Sequence, residues 1–269
     1  KEVFPGTPDF ICHFHFLRDL GKDLLEEDYT AIRQRLRKHG LTEKLRRRAR
    51  ALKTEIDRLP GLSGSFHQIL QPSAASVPKE HLERFPLLCA YTLICWALAG
   101  KDQADGYGFP FDRPQLELAS RLLAVHQLLG QIRQAPMCGK LRRNRPLCQL
   151  FETLAPLAGD HILKKHIETI REKTEVFDRL RDAMRMAPVG AKAGLNSGDE
   201  PETMGPIQIA VTAFRTKLAA RSDCRPGSPW QKMINQLDKY WEKLFADPIK
   251  VKIAGKLERI QPQRTNNVM

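Results

Sequence analysis

Asp9-Phe-Ile-Cys-His-Phe-His-Phe-Leu-Arg-Asp19 is a short apolar run that passes directly into helical spacing. Leu17, Leu20 and Leu24 recur at three- and four-residue intervals and predict a helix over 17–25. The apolar run before them predicts extended backbone over about 9–14. In extended backbone Cys12 and Phe14 point one way, and His13 and His15 the other. Working outward, Tyr29 to His39 is again helical. Ile32 and Leu36 share one face, and Arg33, Arg35, Arg37 and Lys38 the other. Gly40 is a stop residue, and Thr42 is the candidate cap of a further helix that runs to about Leu59, before Pro60-Gly61.

The same periodicity recurs through the rest of the chain. A helix opens at Pro78 or Lys79 and reaches Ala99; Phe85, Leu87, Leu88, Tyr91, Ile94, Cys95 and Trp96 make it apolar on most sides. Leu116 to Gln134, Leu147 to Leu157, Ile207 to Arg221 and Pro229 to Phe245 are further helices, and Pro114 suits a helix start. His161 to Met186 alternates charges, the pattern of a solvated helix or a coiled-coil arm. Residues 61–77 and the aromatic, proline-bearing stretch 100–114 read as loops, the second one ordered. After Asp247-Pro248, Ile249, Val251 and Ile253 alternate with Lys250 and Lys252, which predicts a short extended segment over 249–260. The fold class expected is mainly α. Trp96, Trp230 and Trp241 sit in apolar helical patterns and read as core rather than as base-stacking residues.

Composition narrows the partners. The 269 residues carry 44 Lys plus Arg against 31 Asp plus Glu, a formal charge of +13. Such an excess favours a polyanion, and nucleic acid is the common case. Lys44, Arg46, Arg47, Arg48 and Arg50 form one basic cluster, and Lys140, Arg142, Arg143 and Arg145 a second. The arginines Arg46, Arg47, Arg48, Arg50, Arg142, Arg143 and Arg145 are the candidate phosphate contacts; the plain alternative is a solvated face. Cys12, Cys89, Cys95, Cys138, Cys148 and Cys224 are scattered without a Cys-x-x-Cys pair, so neither a zinc knuckle nor a disulfide framework is expected. Reduced thiols fit a cytoplasmic setting. The longest apolar run, 85–100, contains Pro86 and is too short to span a membrane, so no membrane partner is expected. No signal peptide is visible, and Lys at position 1 suits a fragment of a larger protein.

Phe4-Pro5-Gly6-Thr7-Pro8-Asp9-Phe10-Ile11-Cys12-His13-Phe14-His15 and Arg264-Thr265-Asn266-Asn267-Val268-Met269 carry a resemblance. In DDE-type transposases of bacterial insertion sequences, in the broad Mutator-like and hobo/Activator-like group, an all-helical insertion splits an RNase H-like catalytic domain. A Cys-x-x-His element precedes that insertion, and an Arg-Thr-Asn-Asn-x-x-Glu pattern follows it. Cys12 and His15 are similar to the first, and Arg264, Asn266 and Asn267 to the second. The resemblance implies a multi-helix insertion domain with short flanking strand remnants of an RNase H-like core. Residues 1–15 would be the core-strand remnant and 16–247 the helical insertion, with a flexible loop at about 189–205. Residues 248–269 would be the return strand and the start of the last core helix.

The resemblance further implies a nucleoid-associated DNA transposase. Its full-length parent would use Mg²⁺ held by three carboxylates for DNA cleavage and strand transfer. Double-stranded DNA at transposon ends would be the partner, and the parent could assemble as a homo-oligomer. The catalytic carboxylates would lie outside this segment, so no catalytic residue, bound cofactor or metal is expected in it. Asp19 and Asp23 lie one turn apart with no third carboxylate beside them. Cys12 and His15 alone do not close a zinc site; a role shaping a neighbouring active site stands against a structural role at the corner. The reading from a different class is a stand-alone helical module that binds nucleic acid or protein without catalysis.

Overall fold

The computed structural model describes residues 9–59, 85–134, 144–186, 203–253 and 255–260. Helices dominate these residues: α1 His13–His39, α2 Leu41–Asp57, α3 Pro86–Ala99, α4 Pro114–Gln134, α5 Arg145–Ala158, α6 His161–Ala183, α7 Met204–Ala219 and α8 Pro229–Leu244. A single 3₁₀ turn, Gly100–Asp102, follows α3. β1 Ile249–Ile253 and β2 Lys256–Ile260 form an antiparallel hairpin, with Ile249 opposite Ile260 and Lys252 opposite Leu257. The expected extended segment at 249–260 is therefore present. The loops expected at 61–77 and across most of 189–205, and the helix start at 78–79, lie outside the described residues.

The chain divides into two compact units. One comprises Lys1–Glu26, Phe109–Phe111 and Glu172–Met269; the other comprises Glu27–Gly108 and Asp112–Arg171. In the second, α2 packs on α3, α4 packs on α5, and α3 touches both α4 and α5. Leu45, Leu52, Leu88, Leu93, Leu118, Leu122 and Leu154 fill its interior. The apolar character of α3 on most sides follows from this central position, since a helix with neighbours all round has no solvent face to keep polar. In the first unit α7 packs on α8. Phe111 stacks on Phe14 at 5.1 Å and tilts against Phe177 at 5.8 Å. Gly21 lets α1 approach this aromatic cluster: a Cβ there would sit 2.5 Å from Pro110 Cγ and 2.6 Å from Phe177 Cε2.

Four expectations are corrected. Residues 9–14 are not a strand, because α1 begins at His13. The backbone partners of this stretch are the free carbonyls at the end of α8: Ile11 N–H donates to Lys243 O at 3.2 Å, and His13 Nε2 lies 2.9 Å from Leu244 O. A helix C-terminus leaves its last carbonyls unpaired, and the stretch satisfies them without needing a neighbouring strand. Second, Thr42 does not cap α2. Gly40 occupies that position with φ 60°, a left-handed conformation in which glycine pays no steric cost, and no side chain bonds the helix start. Third, α6 is neither a solvated helix nor a free arm. Leu163, Ile167, Ile170, Thr174, Phe177 and Leu180 repeat at three- and four-residue steps and are all buried. Most of its charges lie away from that stripe, and Lys173, Asp178 and Arg181 beside it are half-buried. The separate helices expected at 17–25 and 29–39 are one continuous α1. Nothing in Glu26-Glu27-Asp28 breaks a helix, and Asp28 Oδ1 is hydrogen-bonded to His166 Nδ1 at 2.7 Å.

Candidate nucleic-acid interface

The turn from α1 into α2 concentrates exposed positive charge. α1 ends Arg37-Lys38-His39, Gly40 in a left-handed conformation separates the two helices, and α2 opens Leu41-Thr-Glu-Lys-Leu-Arg-Arg-Arg-Ala-Arg50. Leu41, Leu45, Ala49 and Leu52 are buried, so the apolar stripe fixes which way α2 faces and turns its cations outward. Arg37, Lys38, Lys44, Arg47 and Arg50 are exposed and form no ion pair with another described residue. Glu43 is the local exception, and Arg46 answers it at 2.7 Å.

A buried carboxylate holds this corner in place. Asp160, at the start of α6, has a side chain only 2% exposed. Its Oδ1 accepts the N–H of Leu163 at 3.0 Å, and so caps α6. Its Oδ2 accepts from Arg35 Nε at 2.7 Å and lies 2.8 Å from His39 Nε2. Burial pushes the Asp160 carboxyl up, but the bonds from Arg35, His39 and the Leu163 amide outweigh it and hold it well below the ordinary carboxylate range. Two side chains in the last turns of α1 are thus fastened to α6, and Arg37 and Lys38 are left pointing to solvent.

The structure sorts the candidate arginines. Arg47 and Arg50 face solvent. Arg48 is half-buried and donates to Gln149 Oε1 on α5 at 2.6 Å, so it ties α2 to α5. Arg145 is exposed at the first position of α5; Arg142 and Arg143 lie outside the described residues, as do Arg264, Asn266 and Asn267. The face read as Arg33, Arg35, Arg37 and Lys38 also splits, because Arg35 belongs to Asp160. Arg37, Lys38 and Lys44 add to the exposed basic set; their adjacency to Arg47 across Gly40 is visible in sequence, while the lack of an acidic partner among the described residues is not.

Cys12 stands immediately ahead of α1, where its carbonyl accepts the Phe16 N–H at 3.0 Å. His15 is in the first turn and lines a groove of about 430 Å³ with Asp19, Asp23, Lys239 and Tyr240. His13 is the histidine built into the corner, at 2% exposure. Among the described residues no group of three or more His, Cys, Asp or Glu is placed to hold a metal ion. The described cysteines carry no disulfide, and burial pushes the Cys89 thiol up to about 12. The tryptophans are engaged. Trp230 is buried and its Nε1 donates to Asp223 at 2.7 Å, Arg121 lies over Trp96, and Trp241 packs on Phe245. No described helix is long and apolar enough to cross a membrane. No family model, no curated protein and no solved structure matches the chain.

Proposed function

We propose that the chain is the helical insertion domain of a DDE-type transposase and that it contacts duplex DNA through the α1–α2 corner. The observation that carries the DNA reading is the set Arg37, Lys38, Lys44, Arg47 and Arg50, exposed together with Glu43 as the acidic neighbour. Long flexible cations of this kind reach phosphates, release counterions and read no sequence. The rigid setting matters too: a corner fastened through Arg35, His39 and Asp160 presents its charges without first having to be ordered.

The transposase reading is supported by the order of the Cys12/His15 element, a helical filling and the Arg264-Thr-Asn-Asn pattern. In that reading the β1–β2 hairpin and the stretch before α1 border an RNase H-like core. The parent's Mg²⁺ ions would be held by carboxylates of that core. The role proposed for this chain is DNA contact and scaffolding. The coding DNA on both sides of this segment tests the family. A Glu codon in frame directly after Met269 and two Asp-bearing strand segments ahead of Lys1 support it; their absence leaves the stand-alone binding module.

DNA binding is tested with the full 269-residue chain and a labelled duplex over a salt series. Affinity should fall steeply with salt, with little sequence preference. Lys44→Ala, Arg47→Ala and Arg50→Ala together should flatten the slope of log affinity against log salt by about 2.7 units, near 0.9 per lost phosphate contact. An unchanged slope in a folded triple variant would make the corner a plain solvated surface.

A further inference from the structure

We propose that the β1–β2 hairpin is a second duplex-DNA contact, distinct from the α1–α2 corner; this rests on the DNA-binding reading above. The two strands form an isolated antiparallel ribbon among the described residues. Register pairs Lys250 with Arg259 and Lys252 with Leu257. Directly paired residues of an antiparallel ladder share a face, and so do residues two apart along a strand. Lys250, Lys252 and Leu257 therefore lie on one face, and all three are exposed, Leu257 at 61%.

Lysines on an exposed strand are commonly a guard against edge-to-edge aggregation. That role explains Lys250 and Lys252. It does not explain a leucine left open to solvent opposite Lys252, because an exposed apolar side chain works against such a guard. A basic ribbon with an exposed apolar side chain opposite one of its lysines has the character of a groove-facing DNA contact. A two-stranded ribbon fits the width of the major groove, cations reach the phosphates on either side, and an apolar side chain packs on a thymine methyl. The partner is set by charge complementarity: Lys250 and Lys252 are exposed cations, and Glu258 is the acidic residue within the ribbon's strands. A two-stranded hairpin is marginal by itself, so a partner laid on this face also stabilises it.

The test uses the full chain and a labelled duplex, with three variants: Lys250→Ala/Lys252→Ala, Leu257→Ser, and the corner triple Lys44→Ala/Arg47→Ala/Arg50→Ala. The lysine pair should flatten the salt slope by about 1.8 units. Leu257→Ser should weaken binding severalfold and leave the slope in place. Backbone amides of 249–253 and 256–260 should exchange more slowly when duplex is added. Unchanged affinity, slope and hairpin exchange in a folded lysine-pair variant overturn the hairpin contact. If the corner triple loses binding in the same series, the DNA reading itself stands. Failure of the unaltered chain to bind duplex overturns both.

Discussion

Replacing Asp160 by asparagine separates the two jobs of one buried side chain. Asparagine caps a helix about as well as aspartate, so the bond from Leu163 N–H to Oδ1 survives. The change acts at Oδ2, where an amide NH₂ would face the donors of Arg35 and His39. Breaking a buried ion pair by removing one partner costs roughly 3–5 kcal/mol. The Arg35 side chain is 25% exposed and regains some water, which puts Asp160→Asn near the lower end, about 3 kcal/mol. Asp160→Ala loses the cap as well, about 1 kcal/mol more.

Chemical denaturation followed by helical circular dichroism reads both values. The pH dependence has a definite sign. The folded carboxyl is held below its unfolded value near 3.9, so the stabilisation is complete above that pH and is lost as pH falls through the folded value. The gap between the native chain and Asp160→Asn should narrow as pH falls below about 4. An Asp160→Asn variant within about 1 kcal/mol of the native chain would refute the ion-pair argument. Equal losses for Asn and Ala would refute the separation into cap and pair.

Gly21→Ala should destabilise the chain by about 1–3 kcal/mol despite alanine's higher helix propensity, since the new methyl meets Pro110 and Phe177 in packed surroundings; thermal denaturation decides it. Arg47→Ala and Arg48→Ala should differ in kind. The first should lower the DNA salt slope by about 0.9 with stability intact, and the second should cost about 1 kcal/mol through the lost Gln149 bond, measured by paired binding and unfolding experiments. Cys89 should resist alkylation at pH 8 in the folded chain and react once it is unfolded, because burial removes both access and thiolate; mass mapping of labelled peptides follows this.

Local pattern in the sequence determined most of the helices and the hairpin. The apolar repeats of α4 and α8, the proline at the start of α4, Gly40 between α1 and α2, and the alternation of Ile249, Val251 and Ile253 are short-range signals with short-range consequences. The basic excess, and its clustering around 44–50, were legible in the same way. Tertiary structure decided which charges are free. Arg35 and Arg37 look alike in sequence, yet Arg35 is held by a carboxylate 125 residues away while Arg37 faces solvent. Arg48 is drawn to Gln149, 101 residues on, and Arg47 beside it is not. The stretch before α1 looked like a strand because apolar runs carry no record of their partner. It bonds instead to the end of α8 through the Ile11 N–H, and His13, the first residue of α1, reaches an acceptor there 231 residues away. The charge pattern of α6 fitted a solvated helix equally well until its apolar stripe was covered. Periodicity fixes how a segment folds on itself; a buried charge or an unpaired carbonyl is satisfied by whatever packing brings near, and that is set by the whole chain.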